Sequence, residues 1–135
     1  MQDTTETRTL SVSINRDLAE AYAFLSVPEN FPKWASGLGE LRRVDDAWIV
    51  QTPDGPVEVC FSQRNDFGVL DHWVCPAPDT TIYIPMRVVR NGSGCELIFT
   101  LFRLPGMSDE KFAADAEWVM RDLHAVRDIL ETKDA

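Results

Sequence analysis

Basic residues are scarce in this chain. Thirteen Lys and Arg stand against 22 Asp and Glu, a formal net charge of −9. No basic stripe interrupts that balance, which argues against nucleic acid or an anionic membrane as a partner. Long apolar runs are lacking too: none approaches the roughly 20 residues a membrane span needs. The N-terminus is polar and has no signal-peptide pattern. Cysteine is limited to Cys60, Cys75 and Cys95, an odd number with no CxxC pair. They read as reduced thiols and not as a disulfide frame, so a cytoplasmic location is expected. A zinc site from Cys60, His72 and Cys75 would lack a fourth ligand and the usual spacing, so no metal is expected. There is no Ser–His–acid set, no phosphate loop and no paired-carboxylate motif, and no cofactor is expected.

At 135 residues the chain has the size of one domain. The expected limits are a frayed polar segment over 1–7, a domain over 8–131 and a tail over 132–135. The most legible stretch is the last long one, from Pro105 to Glu131. Ser108 is placed to cap a helix, and Asp109 and Glu110 suit its positive end. Met107 and Phe112 have the spacing of a hydrophobic staple. Phe112, Ala116, Val119, Met120, Leu123, Val126 and Leu130 then form one apolar stripe, with Arg121, Asp122, Arg127 and Asp128 facing away.

Ahead of it the chain reads strand, two short helices, then six antiparallel strands. Leu10, Val12 and Ile14 alternate with polar residues in the first strand. Asn15 is placed to cap a helix over 16–25, and Pro28 to open a second short one. Asp54-Gly55 signals a hairpin that would pair Trp48 with Phe61, Val50 with Val59 and Thr52 with Val57. Gly92-Ser93 centres another, pairing Val88 with Leu97, Met86 with Phe99 and Ile84 with Leu101. Pro85 inside that strand suggests a bulge or an edge. If Asp71 faces water, Leu70, His72 and Val74 face inward. The order predicts an α+β fold of about seven strands, with an apolar sheet face closed by the last helix.

The segment "SVSINRDLAEAYAFLSVPENFPKWASGL" resembles the opening of the START-like superfamily. This group is also called SRPBCC, or the polyketide cyclase/dehydrase and lipid-transport group. Ala21-Tyr22-Ala23-Phe24-Leu25 matches its helix core, and Val27 to Trp34 its "dpenxpxW" motif, with Val27 replacing the usual Asp. The closing "GMSDEKFAADAEWVMRDLHAVRDIL" is similar to its final helix. The resemblance implies a helix-grip fold, a curved antiparallel sheet wrapped around a long C-terminal helix. It implies no single function, since the group includes lipid and hormone carriers, cyclases, hydroxylase domains and co-chaperones.

The resemblance places a ligand between the concave sheet face and the long helix. Trp34, Trp48, Val50, Val59, Phe61, His72, Ile84, Met86, Phe99, Phe112, Trp118 and Met120 become candidate walls. Such walls are apolar with few polar groups, as small-molecule sites are. His72 is the candidate general base or acid; the plainer reading is a core histidine satisfied by one hydrogen bond. Arg103 follows the Leu97/Phe99/Leu101 parity and can hold a carboxylate at the mouth, unless it pairs with an acid of the last helix. Three functions follow as expectations: binding of a small hydrophobic or aromatic molecule, a polyketide cyclase/dehydratase-like enzyme, or a protein-interaction module with a filled core. Trp73, Tyr83, Ile98 and Phe102, on the outer face, could support a homodimer.

Overall fold

The computed structural model describes residues 3–132. Strand β1 (Thr7–Ile14) is followed by helix α1 (Leu18–Leu25) and a 3-10 turn (Pro28–Asn30) running into the short helix α2 (Phe31–Trp34). Seven strands then follow: β2 (Leu41–Val44), β3 (Ala47–Thr52), β4 (Gly55–Phe61), β5 (His72–Ala77), β6 (Thr80–Ile84), β7 (Met86–Asn91) and β8 (Gly94–Phe102). Helix α3 (Asp109–Thr132) closes the fold. The α+β, helix-grip expectation holds; the strands number eight because Pro85 divides one expected strand into β6 and β7.

All described strand pairs are antiparallel, in the orders β1-β8-β7 and β2-β3-β4-β5-β6. Residues 68–70 join the two sets by lying along β7. The Leu70 amide donates to the Met86 carbonyl, and the Val88 amide to the Gly68 carbonyl. Only glycine fits at Gly68, where φ is +71° and an added Cβ would stand 2.2 Å from the Val88 carbonyl oxygen. The resulting curved sheet presents Val50, Val59, Met86, Val88, Leu97 and Phe99 to the core.

Helix α3 lies across that face. Its 24 residues are about 36 Å long at about 1.5 Å each, enough to cross the domain. The Ser108 hydroxyl caps it by accepting from the Lys111 amide at 3.1 Å. Phe112, Ala116, Leu123, Val126 and Leu130 are buried as the stripe predicts.

Several expectations shift. The cap of α1 is Asp17, whose carboxylate accepts from the Ala19 amide at 3.1 Å, and not Asn15. The first hairpin turns at Pro53-Asp54, so Trp48 pairs with Val59, Val50 with Val57 and Thr52 with Gly55. Thr52 fixes this turn: its hydroxyl donates to the Gly55 carbonyl and accepts from the Asp54 amide. A slip of two residues keeps every side chain on its expected face. The Gly92-Ser93 hairpin has the expected pairs Val88–Leu97 and Met86–Phe99, but Ile84 pairs with His72 and not Leu101. Pro85 turns β6 away from β8 onto β5. Of the segment expected to fray, Met1 and Gln2 lie outside the described residues, while Thr5 and Glu6 bond the backbone of Arg103. The expected tail lies outside the described residues from Lys133 onward.

Candidate functional site

Leu70 and His72 face inward, as the alternation predicts, and both are buried. Between them Asp71 points to the convex side, but not into water: it is only 6 % exposed. One of its oxygens accepts from the Met86 amide at 2.9 Å and Arg87 Nε at 3.1 Å. The other accepts from the Tyr83 hydroxyl at 2.8 Å and Arg87 Nη2 at 3.0 Å. Burial pushes this carboxyl upward, but the Arg87, Met86 and Tyr83 donors outweigh it and hold its pKa below the usual range. The cluster sits where Pro85 interrupts the sheet and ties β6 and β7 together.

On the concave side His72 is 3 % exposed. Its Nδ1 lies 3.1 Å from the Leu70 carbonyl oxygen. A carbonyl only accepts, so Nδ1 carries the proton and Nε2 holds a lone pair. Burial lowers the pKa of this ring, against smaller opposing effects of the Leu70 carbonyl and Asp71, and favours the neutral imidazole. Phe31 packs edge-on to His72 at 5.6 Å and to Trp34 at 5.3 Å between ring centroids.

These rings line a small inner cavity of about 120 Å³ together with Ala35, Ile84, Phe99, Val119, Leu123 and Asp122. Next to it is an outer cavity of about 210 Å³ under Trp118, Leu104 and Met107. Ile84, Phe99 and Val119 line both. Trp118 is 46 % exposed and sits at the rim. It packs beside Gly37, where an added Cβ would come within 3.2 Å of the indole. The larger concavities lie elsewhere. A groove of about 750 Å³ runs between β1 and the far flank of α3, past Arg8, Met120 and His124. Another of about 440 Å³ lies between α1 and the loop bearing Phe67.

Asp122 was expected to face away from the core. Instead it is buried, because the loop after α2 folds over that flank of α3. Its Oδ1 accepts from the Ser36 amide at 3.1 Å and the Ser36 hydroxyl at 2.7 Å. Burial raises the Asp122 pKa, with the Ser36 bonds and Arg121 acting the other way. The apolar stripe gave no hint of this, since only the tertiary position of Ser36 makes the site.

Of the candidate walls, Trp34, His72, Ile84 and Phe99 meet at the inner cavity, and Trp118 joins Ile84 and Phe99 at the outer one. Phe61 stands behind this group, 5.4 Å from Phe31 and 6.1 Å from His72 between centroids. Trp48 packs edge-on with Phe61 at 6.5 Å between centroids, and the Arg43 guanidinium lies over its ring. Val50, Val59 and Met86 are core filling and line neither cavity. Phe112 is buried beneath the guanidinium groups of Arg8 and Arg103. Met120 faces the groove on the other flank of α3. Arg103 does not reach the mouth: it donates to the Met107 carbonyl and pairs with Glu6 and Asp109. Phe31, Ala35, Val119, Asp122 and Leu123 complete the inner cavity and were not among the walls expected from sequence, although Val119 and Leu123 belong to the apolar stripe.

On the convex face Trp73, Tyr83 and Phe102 stack in a ladder, with centroids 5.5 and 6.1 Å apart. The three cysteines are free. Among the described residues no cluster of His, Cys, Asp and Glu is arranged to hold a metal, and no helix is long and apolar enough to cross a membrane.

No protein-family model matches the sequence, and no curated protein matches it. Solved structures do match in shape. A START superfamily protein from Mycobacterium smegmatis superposes with a TM-score of 0.71 at 13 % identity, over 93 % of this chain and 97 % of that one. Ara h 8.0201 gives 0.72 at 10 % identity, over 96 % and 99 % of the two chains. The Aha1 dimer from Colwellia psychrerythraea gives 0.73 at 12 % identity, over 96 % and 99 %. These likenesses show the fold: the chain has a helix-grip fold, a curved antiparallel sheet closed by a long C-terminal helix, similar to that of these solved structures.

Proposed function

We propose that this protein binds a small aromatic molecule in the inner cavity between the sheet and α3. The observation that carries the reading is the composition of that cavity: aromatic and aliphatic walls with two polar side chains, His72 and Asp122. Its volume of about 120 Å³ limits the occupant to about one ring, since a dry cavity of about 150 Å³ holds benzene. Substituents on that ring would extend past Ile84, Phe99 and Val119 into the outer cavity. Steroids and long acyl chains are too large without rearrangement.

The test compares native and denatured masses of freshly purified protein, then melting temperatures across single-ring compounds, fatty acids and steroids. A ligand at 100 times its Kd stabilises the fold by about 2.7 kcal/mol. A retained adduct or an upward shift with single-ring compounds is expected. No adduct and no shift with any compound would overturn the proposal and favour a filled-core interaction module.

A cyclase/dehydratase-like enzyme is the second reading, favoured by the tautomer of His72, which leaves a basic Nε2. It requires that His72→Ala abolish turnover of any substrate found; full turnover in that variant removes the reading. A homodimer through the convex ladder of Trp73, Tyr83 and Phe102 is the partner reading. A monomer by sedimentation at high concentration removes it.

A further inference from the structure

At the inner cavity His72 and Asp122 each leave an acceptor open, and the Trp34 indole N–H is the one side-chain donor in the wall without a hydrogen bond among the described residues. His72 Nδ1 is committed to the Leu70 carbonyl, which leaves Nε2 without a partner. Both Ser36 donors go to Asp122 Oδ1, which leaves Oδ2 without one. Among the described residues no fully enclosed side-chain nitrogen or oxygen lacks a partner. These two atoms are therefore not sealed in dry packing; each borders open space. No Lys or Arg lines the inner cavity or the outer one, and their only charged side chains are Asp122 and Asp115.

We infer that the ligand of this cavity is an uncharged aromatic ring bearing a hydrogen-bond donor, a phenol or an aniline, whose O–H or N–H is received by His72 Nε2. The inference rests on the cavity being a binding site, as proposed above. The ring fills the space between Phe31, Trp34 and Phe99, and its donor meets the one nitrogen lone pair in the wall. A carboxylate is rejected twice. It finds no cation, and it meets both the Asp122 carboxyl and an imidazole that has only a lone pair to offer. Arg103, the cation that could have received it, is occupied by Met107, Glu6 and Asp109.

Titration calorimetry with phenol, aniline, toluene, anisole and benzoate tests this. Phenol and aniline should bind at least about tenfold more tightly than toluene, because an unmatched buried acceptor is costly. Anisole, which has the oxygen but no donor, should bind no better than toluene, and benzoate should not bind. His72→Phe keeps an aromatic wall; it should retain toluene binding and lose the preference for phenol. The wild-type series decides the matter even if that variant does not fold. Equal affinities for phenol, anisole and toluene, or benzoate binding as well as phenol, would overturn the donor assignment alone. If no ring binds, the cavity reading falls and this inference falls with it.

Discussion

Replacing Asp71 by Asn tests the account of how the sheet is held together. The wild-type carboxylate accepts four hydrogen bonds, from the Met86 amide, the Tyr83 hydroxyl and two nitrogens of Arg87. Asn keeps one oxygen and turns an NH2 toward donors that cannot receive it. Removing one partner of a fully buried ion pair costs roughly 3–5 kcal/mol. The Arg87 side chain is 47 % exposed, so water recovers part of its solvation, and the Coulombic share is discounted. What remains is the loss of about two bonds to a charged group, each roughly 1.5 kcal/mol at the low end, or about 3 kcal/mol in all. Urea unfolding should show that loss, with a lower midpoint and an unchanged slope. Asp71 also carries a pH signature. Its folded pKa is depressed, so its contribution is present above the ordinary carboxyl range and is lost as pH falls through the folded value. The variant should lack that acid-side loss. A destabilisation under about 0.5 kcal/mol, or an identical acid limb in both proteins, would refute the claim that this carboxylate ties β6 to β7.

Asp122 has the opposite sign: its folded pKa is raised, so the folded state holds its proton more tightly than the unfolded chain, and ionisation at neutral pH opposes folding. Asp122→Asn keeps an acceptor for Ser36 and should raise the melting temperature at pH 8, with the gain gone at pH 3; the exposed Glu117→Gln on the same helix controls for net charge, and equal gains in both would refute the assignment. His72 is held neutral by burial, so the unfolded chain takes up its proton first as pH falls below about 6.5, and wild-type stability should decline there. Urea midpoints of wild type and His72→Phe at pH 7.5, 6 and 5 should converge; parallel lines would show that the imidazole titrates freely in the fold. Gly68→Ala forces a Cβ toward the Val88 carbonyl at φ +71° and should cost at least about 2 kcal/mol, whereas Gly55→Ala has φ +114° but nothing within 4 Å and should cost less. Equal losses would mean that the dihedral, and not the close approach to β7, is the constraint.

The elements with strong local signals were legible. Helix α3 could be read from its cap and stripe, and the β7–β8 hairpin from matched apolar faces on both sides of Gly92-Ser93. The β3–β4 register was two residues out because Thr52 closes the turn at Pro53-Asp54 through its hydroxyl, a bond that Asp54-Gly55 as a dipeptide does not reveal. The faces survived the slip because strand side chains have a period of two. The site was half legible for a similar reason. Parity placed His72, Ile84 and Phe99 on the concave side, where they do meet. Asp122 was hidden because helical periodicity reports polarity and not depth; a carboxylate beside the stripe becomes buried only when a distant loop carries Ser36 over it.

Pro85 connects the two halves of this picture. Its carbonyl still accepts from the Thr100 amide at 3.1 Å, but lacking an amide hydrogen it cannot donate back to β8, and β6 leaves β8 to pair with β5. On the convex side the resulting seam is closed by Asp71, which gathers donors from Tyr83, Met86 and Arg87 across the break. On the concave side the same divergence sets Ile84 of β6 apart from Phe99 of β8, and those two residues line both cavities. Asp71 and His72 are consecutive and point to opposite faces, so the bonds that fix the carboxylate outside also fix the backbone that aims the imidazole inside. Loosening the seam should therefore be felt in the cavity. In Asp71→Asn, preference for phenol over toluene should narrow while toluene binding persists, measured under conditions where the variant is fully folded. An undiminished preference would show that His72 is oriented by its bond to the Leu70 carbonyl and by the packing of Phe31 and Phe61, independently of the convex cluster.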